Sequence, residues 1–399
     1  KLRGVLMSLN KISEKFVLNK LKNISQGNLK LINYDGKVFH FGDLESKLIA
    51  DIKINNPQFY LNVILGGSSA LGEGHMKKDF YSSNLTNLVE LTARNINIIY
   101  SFSGSLKLQK IKNVLKKIFA SNTKSKSKKY ISKHYDLGNE FFSLWLDKTL
   151  TYSSAVYKNE SDNLENAQRN KFQELINLLK IKDGNKILEI GCGWGGFTEY
   201  LAKKYDVSVD CITISKNQYN YTKKKIFESG LNNKVNVKFL DYRDLNEKYD
   251  HVASIEMIEA VGEQYMDQYF GTIKKVLNDN GTAAIQGIVI KNDLFDRYRA
   301  NEDFIQKYIF PGGFLPSISF MENLIKKNNL KLEKINSYSI DYARTLATWR
   351  ENFLGVWEKI SPLGFDDYFK RMWEFYLSYC EGGFKSKNID LIQFSMSNK

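Results

Sequence analysis

The strongest chemical signal in the chain is Leu188-Glu189-Ile190-Gly191-Cys192-Gly193-Trp194-Gly195-Gly196. It joins an apolar run that predicts a strand to an amphipathic run that predicts a helix. Its close-set glycines let the backbone turn sharply and approach a ligand. A bare glycine pattern serves dinucleotide and nucleoside binders alike, or only tight strand–helix packing. Glu189 inside the strand and the bulky Trp194 in the turn argue against a pyrophosphate. Both suit a sulfonium nucleoside built on methionine, whose amine and ribose need polar partners. Further polar groups fall where later strands should end. Thr213, Ser215 and Gln218 follow the second, and Asp241-Tyr242-Arg243-Asp244 the third, where a carboxylate can accept from an adenine amino group. Each alone is more often a cap or turn residue, and their common place at strand ends is what joins them.

The elements that must position these groups are legible from about residue 165 onward. NKILEIG, VDCITIS, VNVKFLD, YDHVASIEM and GTAAIQGIVI are short apolar or β-branched runs separated by amphipathic segments. Such alternation predicts a parallel doubly wound sheet covered by helices on both faces. Ligands bind such sheets beyond the carboxyl ends of the strands, where the strand order switches. LKLEKINSYSIDY and IDLIQFSMSN are expected to add a closing antiparallel pair at the sheet edge. Residues 1–105 read as a small α+β domain for lipid docking or interaction, with a hairpin at Tyr34-Asp35-Gly36 and an amphipathic helix in LTNLVELTARN. Residues 106–130 read as a basic amphipathic helix and linker, and 131–399 as the catalytic domain.

The whole chain of 399 residues carries 58 Lys and Arg against 44 Asp and Glu, a net charge of +14. That excess favours anionic partners, and its densest part is 107–133, with ten Lys and no acidic residue. Beside a stripe of Ile111, Val114, Leu115, Ile118 and Phe119, it suits an anionic membrane surface, although alone it does not separate lipid from RNA. Three cysteines without a CxxC pair and four scattered histidines predict neither a disulfide framework nor a metal site. A reducing, cytoplasmic setting fits them. The opening KLRGVLMSLN lacks the apolar core of a signal peptide, and no run is long enough to span a bilayer.

HYDLGNEFFSLWLDKTLTYSSAVY, LEIGCGWGGF, ITISKNQ, DYRDL, SIEMIEAVG, YIFPGGFLPS and YARTLATW resemble, in order, the cyclopropane-fatty-acyl-phospholipid synthase family over residues 125–395. The resemblance implies a Rossmann-like class I methyltransferase sheet, S-adenosylmethionine as donor, and the cis double bond of an unsaturated phospholipid acyl chain as acceptor. It implies donor contacts at Tyr152, Ser153, Gly191, Thr213 and Gln218, to which the residues above add Glu189, Gly193, Trp194, Asp241 and Tyr242. It further implies that Glu259 helps hold a bicarbonate ion, the family's usual base, with Ile288 as a backbone ligand and the Tyr342 hydroxyl nearby. An alkene is a weak nucleophile, so the site must be dry and tolerant of a carbocation. Phe141, Phe142, Trp145, Tyr152, Tyr308, Phe310, Tyr342 and Trp349 are the aromatic candidates for that lining, most of them core by default.

This chain departs from the better-known bacterial pattern in three places. Ser154 stands for a Cys, Gln286 for a His, and Glu256 for a Gly, a combination similar to plant members and their bacterial relatives. Gln286 cannot carry a proton. Glu256 or Glu259 is therefore the expected base, with or without bicarbonate, and two close carboxylates should push one pKa up. A ligand role for Glu256 toward the donor's amine or ribose is the alternative. The same cation could also yield a methylene- or methyl-branched chain, and a small-molecule amine or hydroxyl methyltransferase is the competing class. No nucleic-acid module is evident. The expected setting is peripheral, on the inner face of the membrane, with a homodimer as one open arrangement.

Overall fold

A computed structural model describes residues 2–102 and 137–398, so the basic segment expected at 106–130 lies outside the described residues. Two compact units interleave along the chain. One draws on Lys1–Lys116, Arg297–Ile309 and Leu354–Asn388, the other on Lys117–Asp296, Phe310–Phe353 and Ile389–Lys399. The expected linear division at residue 131 thus meets a unit that recruits two later segments.

In the first unit, β1 (Asn28–Ile32) and β2 (Val38–Gly42) form the hairpin expected around Tyr34-Asp35-Gly36. The backbone closes it through Asn33 N to Lys37 O at 2.8 Å and Gly36 N to Asn33 O at 2.9 Å. β3 (Ile49–Ile54) runs parallel to β1, and the short β4 (Phe80–Tyr81) pairs antiparallel with β3. Leu29, Leu31, Ala50, Ile52 and Ile54 alternate inward onto Phe59, Tyr60 and Phe80. The late helix Asp367–Lys385 belongs here because it packs on helices Ser68–Met76 and Leu85–Arg94. At Gly382 a Cβ would lie 2.7 Å from Val89, so only glycine permits that approach. Beside it the buried Glu381 accepts from the Thr86 hydroxyl at 2.8 Å and pairs with Lys385.

The second unit is built on seven strands: β5 (Lys186–Ile190), β6 (Ser208–Thr213), β7 (Val235–Phe239), β8 (Tyr249–Ile255), β9 (Leu277–Ile290), β10 (Leu330–Ser337) and β11 (Ile389–Asn398). Their order is β10-β11-β9-β8-β5-β6-β7. The strands β5 to β9 are parallel, as the five apolar runs predict, and Ile187, Leu188, Val209, Cys211, Val252, Ala253, Ala283 and Ala284 are buried. The closing antiparallel pair forms at the sheet edge as expected, with β10 outermost and the reversed β11 between it and β9. The chain runs outward from β5 to β7 and returns to β8 on the other side of β5. The switch in order therefore opens a crevice at the carboxyl ends of β5 and β8.

Candidate active site

The glycine turn leaves the carboxyl end of β5 with Gly191, Gly193 and Gly195 at φ of 82°, 52° and 77°. A Cβ at Gly195 would lie 2.6 Å from Thr222 Cγ2, which explains that glycine by packing. At Gly193 an added Cβ meets no atom within 4 Å, so this face of the turn is open to a ligand. Trp194 is buried, with its indole N–H donating to Asn139 Oδ1 at 2.8 Å. At the end of β6, Thr213 donates to Gln218 Oε1 at 2.9 Å, and Ser215 caps the helix Lys216–Glu228.

Two residues expected to contact the donor also have partners within the protein. Asp241 accepts from the Arg243 guanidinium at 2.9 and 2.7 Å, so its carboxylate is neutralised two residues away. Glu189 accepts from the buried Thr198 hydroxyl, and burial pushes its carboxyl up to about 7. Tyr242 keeps a buried hydroxyl with no hydrogen-bond partner among the described residues, and burial pushes it up to about 12.

The densest constellation follows β8. Glu256 adopts φ 49°, a left-handed conformation uncommon outside glycine, while its N–H donates to Gln286 O at 2.8 Å. Its Oε1 accepts from the Ser154 N–H at 2.8 Å and from Gln286 Nε2 at 2.7 Å, and its Oε2 from the Tyr342 hydroxyl at 2.6 Å. Burial raises the pKa of this carboxyl, opposed by Lys171 and by those donors. Gln286 is itself oriented, since its Oε1 accepts from Gln393 Nε2 at 2.9 Å. The Ser154 hydroxyl turns away to Ala155 O at 2.9 Å, so residue 154 reaches Glu256 through its backbone N–H and not its side chain.

Glu259 lies on the following turn and accepts from the Ile288 N–H at 2.6 Å. Its second oxygen is buried without a hydrogen-bond partner, and burial together with the neighbouring Glu256 pushes its pKa up to about 8. Folded Glu259 thus holds its proton above the ordinary carboxyl range, where the unfolded chain has released it. The resulting stability is full at about pH 4 and lost as pH rises toward 8. Glu259→Gln keeps a neutral acceptor for Ile288 and removes this slope. The stability of wild type relative to the variant is expected to fall by on the order of 2–4 kcal/mol between mildly acidic and mildly alkaline pH. Urea unfolding of both proteins at the two pH values checks it, and a pH-independent difference would remove the buried-acid assignment.

Six of the aromatic candidates form one cluster. Phe142 contacts Trp145, Tyr152 and Trp194 with ring centroids 5.8, 5.2 and 5.1 Å apart. Tyr152 meets Trp349 at 5.3 Å, and Trp349 meets Tyr342, the partner of Glu256, at 6.2 Å. Phe141 joins through Trp145. Tyr308 belongs to the other unit, where it hydrogen-bonds Glu73.

Sequence reasoning missed Gln168 and Lys171, both fully buried on the helix Leu164–Leu179. Gln168 donates to Ser153 O at 2.9 Å and Lys171 Nζ to the Ser153 hydroxyl at 2.6 Å. Their spacing of three on an otherwise apolar face was the available signal.

Residues 122–394 match the family described as mycolic acid cyclopropane synthetase. The cyclopropane-fatty-acyl-phospholipid synthase of Escherichia coli strain K12 is 35% identical over 355 residues, 87% of this chain and 88% of that protein. The tuberculostearic acid methyltransferase UfaA1 of Mycobacterium tuberculosis is 32% identical over 338 residues, covering 83% and 79%. Among solved structures, the cyclopropane synthase MmaA2 of Mycobacterium tuberculosis superposes with a TM-score of 0.64 at 29% identity, over 68% of this chain and 98% of that one. The mycolic acid cyclopropane synthase CmaA1, complexed with SAH and CTAB, gives 0.64 at 28% identity over the same shares. The open glycine turn, the switch-point crevice and these likenesses agree: the chain belongs to the mycolic acid cyclopropane synthetase family and is an S-adenosylmethionine-dependent methyltransferase.

Proposed function

We propose that the enzyme methylates the cis double bond of an unsaturated phospholipid acyl chain, and that Glu256 is the base that lets a cyclopropane ring close. S-adenosylmethionine supplies the electrophilic methyl group. Tyr152, Ser153, the open turn at Gly193, Thr213 and Gln218 are the residues that would hold it. The alkene π pair bonds to the methyl carbon as the carbon–sulfur bond breaks, leaving S-adenosylhomocysteine and a cation on the second alkene carbon. Glu256 takes a proton from the added carbon, and the freed C–H pair closes the ring. The aromatic faces of Tyr152, Trp349 and Tyr342 supply negative π density without a competing nucleophile.

The observation that carries the assignment is the cage around Glu256. Ser154 N, Gln286 Nε2 and Tyr342 OH all donate to its carboxylate, and Ile288 N donates to Glu259. Donors that could hold a bicarbonate ion are engaged by the protein's own carboxylates. The fit to bicarbonate is therefore poor, and no step requires it. The net charge of +14 supports work at an anionic bilayer surface, and among the described residues no helix is long and apolar enough to cross one.

Incubation with donor carrying a ¹³C methyl and vesicles of dioleoyl phosphatidylglycerol tests the reading. The label is expected in a ring methylene of the extracted lipid by NMR. Label in an exocyclic methylene or methyl branch would replace the ring-closing step. Unlabelled lipid, with label transferred instead to a soluble amine or alcohol, would reject the assignment.

A further inference from the structure

Lys171 is a lysine with no exposed surface, a costly place for a charge that ordinarily stays in water. The helical period places it on the apolar face, between Ala167 and Leu175, and there its ammonium donates to the Ser153 hydroxyl at 2.6 Å. One turn earlier, Gln168 Nε2 donates to the Ser153 carbonyl at 2.9 Å. The peptide unit after Ser153 carries the Ser154 N–H that donates to Glu256. Gln393 closes the circuit, donating to Gln286 Oε1 at 2.9 Å and to the Lys171 carbonyl at 3.4 Å. Both ends of the Glu256 cage are thus tied to one helix turn.

We propose that Lys171 is a positioning residue for the base: with Gln168 it clamps Ser153, and its ammonium is the positive charge that faces Glu256. This inference rests on the assignment of Glu256 as the base. Three carboxylates favour the charged lysine, Glu256 foremost, then Asp147 and Glu189. Glu256 in turn is faced by Lys171, by the hydroxyl of Tyr342, by Gln286 and the Ser154 amide, and by the carboxyl of Glu259. Burial lowers the pKa of Lys171 to about 7, so its charge is poised close to neutrality and responds to what lies opposite.

The sign follows from the pair. Removing the ammonium destabilises the Glu256 carboxylate, raises its pKa, and shrinks the fraction in the reactive form at low pH. In Lys171→Met the acid limb of the kcat–pH profile is expected to move up by about one pH unit, costing about tenfold in turnover on that limb. Lys171→Arg keeps the charge and is expected to leave the limb within a few tenths of a unit. An acid limb in Lys171→Met that superimposes on wild type overturns the inference alone. Full turnover in Glu256→Gln overturns the base assignment and this inference with it. Should Lys171→Met fail to fold, ¹⁵N-lysine NMR asks the same question of folded protein. The Lys171 ammonium is expected to titrate at lower pH in Glu256→Gln than in wild type, and identical titration overturns the inference.

Discussion

Glu256→Gln is expected to lower turnover about 10³-fold, the contribution of a positioned general base, with the KM for donor changed by less than about threefold. The reasoning is isosteric. A glutamine Oε1 still accepts from Ser154 N and Gln286 Nε2, and the Tyr342 hydroxyl can turn to accept from the new amide. The cage survives while the basic oxygen is lost, and added bicarbonate cannot enter because the amide still fills the space. Glu256→Gly is expected to behave oppositely. It relieves a φ of 49° that costs a non-glycine residue on the order of 1 kcal/mol, and it frees three donors in a buried pocket. That variant should be inactive in bicarbonate-free buffer and regain a substantial part of its turnover when bicarbonate is added. Turnover of both variants, measured with and without bicarbonate under carbon dioxide-free gas, decides the matter. A fully active Glu256→Gln, or a wild type that itself needs bicarbonate, would sink the assignment.

The strained conformation at Glu256 also explains why a glutamate there is informative. A non-glycine backbone held left-handed persists when surrounding contacts over-determine it, and here the carboxylate has donors on both oxygens. The sequence already shows a carboxylate three residues before Glu259 and a glutamine in place of an ionisable residue. It does not show that the two meet, because β8 and β9 bring residues 256 and 286 together only through their parallel register.

How much the sequence reveals depends on the reach of each interaction. The strands β5, β6, β8 and most of β9 are buried on both faces, so their apolar runs are nearly continuous and readable, while the edge strand β7 is half-exposed. The position of β11 inside the sheet is not readable, since alternation describes a strand and says nothing about its neighbour. The same holds for Asp367–Lys385, whose amphipathic pattern predicts a helix but not that it packs with Leu85–Arg94, more than 270 residues earlier. The charge partner of Asp241, by contrast, is local. Arg243 stands two residues on and forms a bidentate pair with it, a contact that DYRD spells out directly. Lys171 was passed over because lysine on a helix is exposed by default, and nothing in the helical period announces a serine hydroxyl 18 residues away.

Alanine at Gly193 and alanine at Gly195 are expected to fail in opposite ways, although both glycines lie in one turn with positive φ. At Gly193 the methyl group enters open space, so the cost to folding is the left-handed strain alone, about 1–2 kcal/mol. The same methyl occupies the one face of the turn left clear for a donor. Affinity for S-adenosylhomocysteine is expected to fall about 10²-fold, with turnover at saturating donor less affected. At Gly195 the methyl would lie 2.6 Å from Thr222 Cγ2, and Thr222 is pinned by its own hydrogen bond to Gly193 O at 3.1 Å. The cost there is overpacking added to strain, about 2–4 kcal/mol together, and it appears as a lower melting temperature before any effect on the ligand. Calorimetric titration with S-adenosylhomocysteine and thermal unfolding of the two variants separate these outcomes. Equal donor affinity in wild type and Gly193→Ala would mean that the open face of the turn is not where the donor lies.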